Sequence, residues 1–238
     1  MKIKRLNQMN ILKDENNVGK MITLFYFVIS GIEVLSEFFI DKQMLYIFKP
    51  SMTLMLMVLY WNTSDVRNPL FFVLFLFSLI TNILFIPNTK EMLFFGIITF
   101  LIYRLLMIYY IIKLTKLKDF IPLLIAVVPF LFVFFYMFSI STEIPTDSFY
   151  ILIVQNVLAS ILGAIAFSDH IMNNYKNNSW LLICGLLSVS HYFIIFIEKY
   201  YLSFSSQTVF RPLAMVLNMV IYYTFYRFVL ESEKLYDN

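Results

Sequence analysis

Apolar residues gather in eight long blocks along the chain, roughly 21–40, 44–61, 69–87, 92–112, 120–141, 149–170, 179–198 and 212–230. An α-helix needs about 20 apolar residues to cross a bilayer, or about 17 at the short end, and each block reaches that range. The blocks are continuously apolar rather than alternating, which argues against the strands of a membrane β-barrel. Between them lie turn and interface residues: Asp41-Lys42, Asn62 to Asp65, Asn88 to Lys90, Lys113 to Asp119, Pro145 to Asp147, Asn173-Asn174 and Ser203 to Gln207. The pattern predicts an all-α polytopic membrane protein, a bundle of about eight helices over 21–230. A basic tail (1–20) precedes it and a short tail (231–238) follows.

Composition strengthens this reading. Of the 238 residues, 61% are apolar and 14% are charged. Ordinary soluble domains run about 45–50% apolar and about 25% charged, so one globular core could not hide this excess. The net charge of +3 is spread over short loops, with no basic stripe for a nucleic-acid backbone. The single cysteine, Cys184, can form no internal disulfide, and two histidines are too few for a histidine metal cluster. No HExxH, CxxC, GxSxG, P-loop or GxGxxG spacing occurs, so neither a metal nor a cofactor is expected. The first twenty residues carry no small-x-small cleavage site and read as a retained cytoplasmic tail, not a signal peptide.

Charge between the blocks sets the expected orientation. Eleven Lys and Arg fall on the side of the N-terminal tail, against four on the other side (Lys42, Lys90, Lys199 and Arg211). By the positive-inside rule both termini face the cytoplasm. The loops are short, so function is expected inside the bundle.

The informative residues are then the charges within the blocks: Glu33, Glu37, Lys49, Arg104, Asp169 and Arg227. Each costs about 2.5–3.5 kcal/mol at the membrane centre on insertion scales, so each should pair, face the interior or line a wet cavity. Glu33, Glu37 and Asp41 share one helix face, with Lys49 as a natural counter-ion. That set reads either as an interhelical salt bridge or as a polar pocket for a lipid headgroup. Arg104 cannot lose its proton; it either holds a phosphate in a fork geometry or pairs with Glu33. In the sixth block Ser160, Ala164 and Ser168, flanked by Ala159 and Gly163, form a small-residue face that predicts a central helix. Ser168, Asp169 and His170 cannot form a triad, because consecutive helical side chains diverge. Asp169 reads as a proton donor if it is dry, or as the partner of Arg227. His191 reads as a packed, hydrogen-bonded residue. Finally, Phe48-Lys49-Pro50 with Tyr60-Trp61 echoes Phe210-Arg211-Pro212 with Tyr222-Tyr223 at identical spacing. A snorkelling cation beside a proline near a helix start accounts for the likeness.

In order and spacing, several segments resemble the YhhN family of lysoplasmalogenases. Lys49-Pro50-Ser51-Met52 matches the family's Lys-Pro in the second helix. Ser78-Leu79-Ile80-Thr81-Asn82 stands where the family has Gly-Asp. Gly96 to Arg104 stands where it has a glycine followed by a histidine. Ser168-Asp169 matches its Ser-Asp, and Tyr222-Tyr223 with Arg227 matches its Tyr-Tyr-x-x-Gln region. The resemblance implies a bundle of about eight membrane helices that hydrolyses the vinyl-ether bond of lysoplasmalogens, releasing a fatty aldehyde. It implies Asp169 as the acid, Asn82 positioning water, Lys49 and Arg104 gripping phosphate, and Ser168 and Arg227 lining the substrate site. The expected partner is a membrane lipid or lysolipid, in the cytoplasmic membrane of a bacterium. The family's aspartate is Asn82 here, its histidine is Arg104 and its glutamine is Arg227. Two alternatives therefore stand beside the hydrolase: a non-catalytic lysolipid-binding or sensing relative, and a small transporter.

Overall fold

The computed structural model describes the backbone of residues 2–39, 42–87, 89–115, 121–140, 149–172, 179–200 and 207–236. It contains eight helices: α1 (Lys2–Phe39), α2 (Lys42–Thr63), α3 (Pro69–Leu84), α4 (Lys90–Thr115), α5 (Ile121–Ile140), α6 (Phe149–Met172), α7 (Ser179–Tyr200) and α8 (Gln207–Tyr236). No strand occurs among the described residues. Each expected apolar block is one helix. Seven are long and apolar enough to cross a membrane, which makes this an integral membrane protein. The Glu37 side chain and Asp41 lie outside the described residues.

Two features differ from the pattern read in the sequence. Helix extends past the apolar blocks at both ends, since α1 already begins at Lys2 and α8 continues to Tyr236. The third block, read over 69–87, gives a helix of only 16 residues. At its start the Asn68 side chain accepts from the Leu70 N–H at 3.0 Å, and Pro69 follows as the first helical residue. At its end the Phe85 N–H closes onto Thr81 and the Ile86 N–H onto Ile83. Pro87 then disfavours helical geometry at Ile86.

Consecutive helices pack on one another within α1–α4 and within α5–α8, and α8 closes the bundle against α1, α2 and α4. The small-residue reading of α6 holds: it is the most buried of the spans. It meets α7 so closely that a methyl group placed on Gly185 would overlap that of Ala166. Buried hydroxyls are largely satisfied within their own helices. Ser30, Ser160 and Ser188 each donate to the carbonyl four residues earlier, at 2.8, 2.8 and 2.7 Å. The outward residues are bulky and apolar, as on Phe132 and Ile125 of α5, which suits a lipid-facing wall.

The packing repeats within the chain. Helix α4 lies on α6 as α8 lies on α2, and the order α1–α4 recurs as α5–α8. Residues 71–86, in α3 and the turn after it, and 181–196 of α7 follow the same sequence of buried, half-buried and exposed positions, with Ser78 and Ser188 in register. The echo between α2 and α8 does not follow this pairing, and its consequence is local to the site.

At the end of the bundle that holds the chain's termini, Glu233 is buried and tied to α2 and α4. Its carboxylate accepts from Tyr60 at 2.5 Å, Ser64 at 2.7 Å and Tyr110 at 3.4 Å. The Tyr60 hydroxyl in turn accepts the Asn68 N–H at 2.9 Å, so this cluster also fixes the turn leading into α3.

Candidate functional site

A cavity of about 170 Å³ lies inside the bundle, bordered by every helix except α5. Its charged border is Glu33 of α1, Lys49 of α2, Glu198 of α7 and Arg211 of α8. Asn82, Gln155, His191, Asn218 and Tyr222 supply neutral polar groups, and Phe85, Leu93, Ile97, Phe196 and Met215 supply apolar wall.

A hydrogen-bonded seam joins α2, α3 and α8 on one side of the cavity. The Tyr222 hydroxyl bonds the Ser78 hydroxyl. The Asn82 amide donates to Thr53 at 3.2 Å and reaches Tyr222 at 3.5 Å. Next to them, Thr81 donates to Thr99 of α4 at 3.0 Å. These groups tie each other down, so the seam is a fixed polar surface. Opposite it, Gln155 is only 1% exposed, and neither end of its side-chain amide has a hydrogen-bond partner among the described residues. An orphaned amide of this kind is costly in an apolar interior.

Lys49 and Asn82, singled out from the sequence, meet in this cavity. Arg104 is adjacent but outside it, in a smaller chamber that shares Phe100, His191 and Asn218 with the main cavity. The pairing with Glu33, one of its two readings, is not formed. The contacts of Arg104 are the Gln155 carbonyl at 3.3 Å and the ring faces of Phe100 and Tyr192 at 4.7 and 4.8 Å.

The other three expected site residues do not border either space. Ser168 is buried and directs its hydroxyl to the Met172 sulfur at 3.5 Å. Asp169 is half-buried near the far end of α6. At the helical rise of about 1.5 Å per residue it sits about 21 Å along the axis from Gln155. Arg227 pairs with Glu231 at 3.2 Å and lies over the Trp180 ring at 4.8 Å, so the expected Asp169–Arg227 pair is replaced by a pair within α8. Depth is the physical reason: the cavity belongs to the half of the bundle away from the termini, and these residues belong to the other half.

Gln155, Asn218, Glu198 and Arg211 were not singled out as site residues by the sequence. Arg211 carried one signal, its echo of Lys49, and both cations border the same cavity. Gln155 also carried one, since a Gln-Asn pair interrupts an otherwise apolar helix.

No protein-family model, curated protein or solved structure matches the chain. Fold and site together define a polytopic helical membrane protein with a cavity between its helices, mostly apolar in its wall and carrying a few polar and charged groups.

Proposed function

We propose that this protein takes a lysophospholipid headgroup into the cavity and acts on it as a lysoplasmalogenase-like hydrolase in a bacterial cytoplasmic membrane, with both termini on the cytoplasmic side. The observation that carries the reading is the border itself. Two carboxylates and two cations stand around one small space, beside an unpaired amide and an apolar wall. A zwitterionic headgroup presents phosphate and ammonium together, so it meets both signs of charge. Lys49 and Arg211 suit the phosphate, Glu198 suits the ammonium, and the apolar wall suits the first carbons of the chain.

Vinyl-ether hydrolysis needs a proton delivered to the enol-ether carbon, water added to the resulting oxocarbenium ion, and collapse of the hemiacetal to an aldehyde and a glycerophospho-base. Asp169 is too far along α6 to deliver that proton within the cavity. Glu33, 3% exposed and on the cavity border, is the carboxyl placed to do so. Asn82 and Tyr222 are placed to hold the water.

The test is aldehyde release from a lysoplasmalogen by the purified full-length protein. Glu33→Gln should lower the rate at least about 100-fold, the usual scale of a general acid, while Asp169→Asn retains it. Release no greater than that of a protein-free membrane control overturns the hydrolase. A second reading, binding without turnover, is favoured by Asn82 and Arg104, which stand where the family resemblance expects an aspartate and a histidine. Saturable lysolipid binding without aldehyde would select it.

A further inference from the structure

We infer that the chamber around Arg104 is a binding site for a single small monovalent anion of halide size, separate from the headgroup cavity. Arg104 is 3% exposed in the middle of α4 and brings a guanidinium into the interior there. Among the described residues no carboxylate pairs with it; its contacts are one backbone carbonyl and two ring faces. Those supply partial charge only, and a lone buried charge is strongly destabilising without a full counter-charge.

The chamber is built to supply that counter-charge from outside the chain. It measures about 20 Å³ and is lined by Tyr103, Arg104, Ser188, His191 and Asn218 among apolar residues. A space of about 10–15 Å³ holds one water-sized particle, so one water or one monatomic ion fits and a tetrahedral oxyanion does not. Of the groups lining it the guanidinium offers donors only, while Asn218 and His191 each carry a donor and an acceptor. Only Nη1 of the guanidinium is used, for the Gln155 carbonyl, and the Tyr103 hydroxyl, 4% exposed, has no hydrogen-bond partner. The Ser188 hydroxyl is already spent on the Cys184 carbonyl at 2.7 Å. No acid borders the chamber. Water would satisfy the hydrogen bonds but leave the charge standing, whereas chloride or bromide satisfies both. The ion would sit behind Phe100 and His191, the two side chains that separate it from the main cavity together with Asn218.

The experiment uses purified full-length protein in detergent without added lysolipid, so its outcome does not depend on the headgroup reading. The protein is exchanged into sodium gluconate and titrated with sodium chloride or bromide at constant ionic strength. Thermal unfolding and radiolabelled chloride binding are followed together. The expected result is a saturable rise in melting temperature, about one chloride bound per chain, competition by bromide and none by sulfate. Arg104→Gln should abolish the saturable component. If that variant does not fold, Tyr103→Phe removes one donor and keeps the charge, and should weaken binding roughly fivefold. Equal melting in gluconate and halide without saturable chloride, meaning a hydrated chamber only, overturns the site. Binding left unchanged by Tyr103→Phe or Arg104→Gln overturns it as well.

Discussion

Gln155 and Asn156 are neighbours on α6, both 1% exposed, and neither side-chain amide has a hydrogen-bond partner among the described residues. Their surroundings separate them. Gln155 borders the cavity, whereas Asn156 borders neither described space. An unpaired buried amide costs about 1–3 kcal/mol, so Asn156→Leu should raise the melting temperature of the purified protein, and a marked fall would show that the amide has an essential partner. Gln155→Leu removes the same penalty but also a group facing the ligand. It should therefore weaken lysolipid binding, as measured by equilibrium dialysis, without lowering the melting temperature. At this scale the sequence was partly legible. Lys49 and Asn82 were found because a charge or amide in an apolar block is conspicuous. Asp169 was conspicuous for the same reason, yet a linear motif carries no depth, and depth is what keeps it out of the cavity. Gln155 escaped notice because an uncharged amide in a helix draws no attention until its partners are counted.

The helices themselves were the most legible part. The bilayer fixes their length, and the charges and turn residues between blocks mark their ends, so eight blocks became eight helices. What hydropathy does not encode is which faces meet. The approach of α6 to α7 rests on Gly185 and Ala166, two residues that look unremarkable in an apolar run. Gly185→Ala should overpack this contact and destabilise the protein by about 1–3 kcal/mol, read as a lower melting temperature. Combining it with Ala166→Gly exchanges the small and the smaller residue across the interface and should recover most of the loss. If the double variant is no better than the single one, the crowding lies elsewhere. The α4 register shows the same limit. Arg104 was read as holding a phosphate or pairing with Glu33, and it faces two rings and a chamber, an outcome set by how α4 lies against α6.

Across the whole molecule, the packing of α1–α4 recurs in α5–α8, and elements four apart in the chain run in the same direction. The seam of Ser78, Asn82 and Tyr222 belongs to one side of this arrangement, and His191 and Tyr192 of α7 answer α3 from the other. The cavity is thus assembled from residues of both halves, which is why no single segment of sequence contains it. One member of that arrangement is too short for its solvent. Sixteen residues rise about 24 Å, whereas the hydrocarbon layer is about 30 Å thick. A span this short is accommodated by local thinning of the bilayer, by flanking residues that reach outward or by cover from neighbouring chains. In vesicles with 14-carbon acyl chains the protein should be more heat-stable than in vesicles with 20-carbon chains, and the reverse order would mean that no such thinning occurs. A dimple of this kind would give a single-chain lipid, already at home in curved surfaces, a short way from the leaflet to the polar interior.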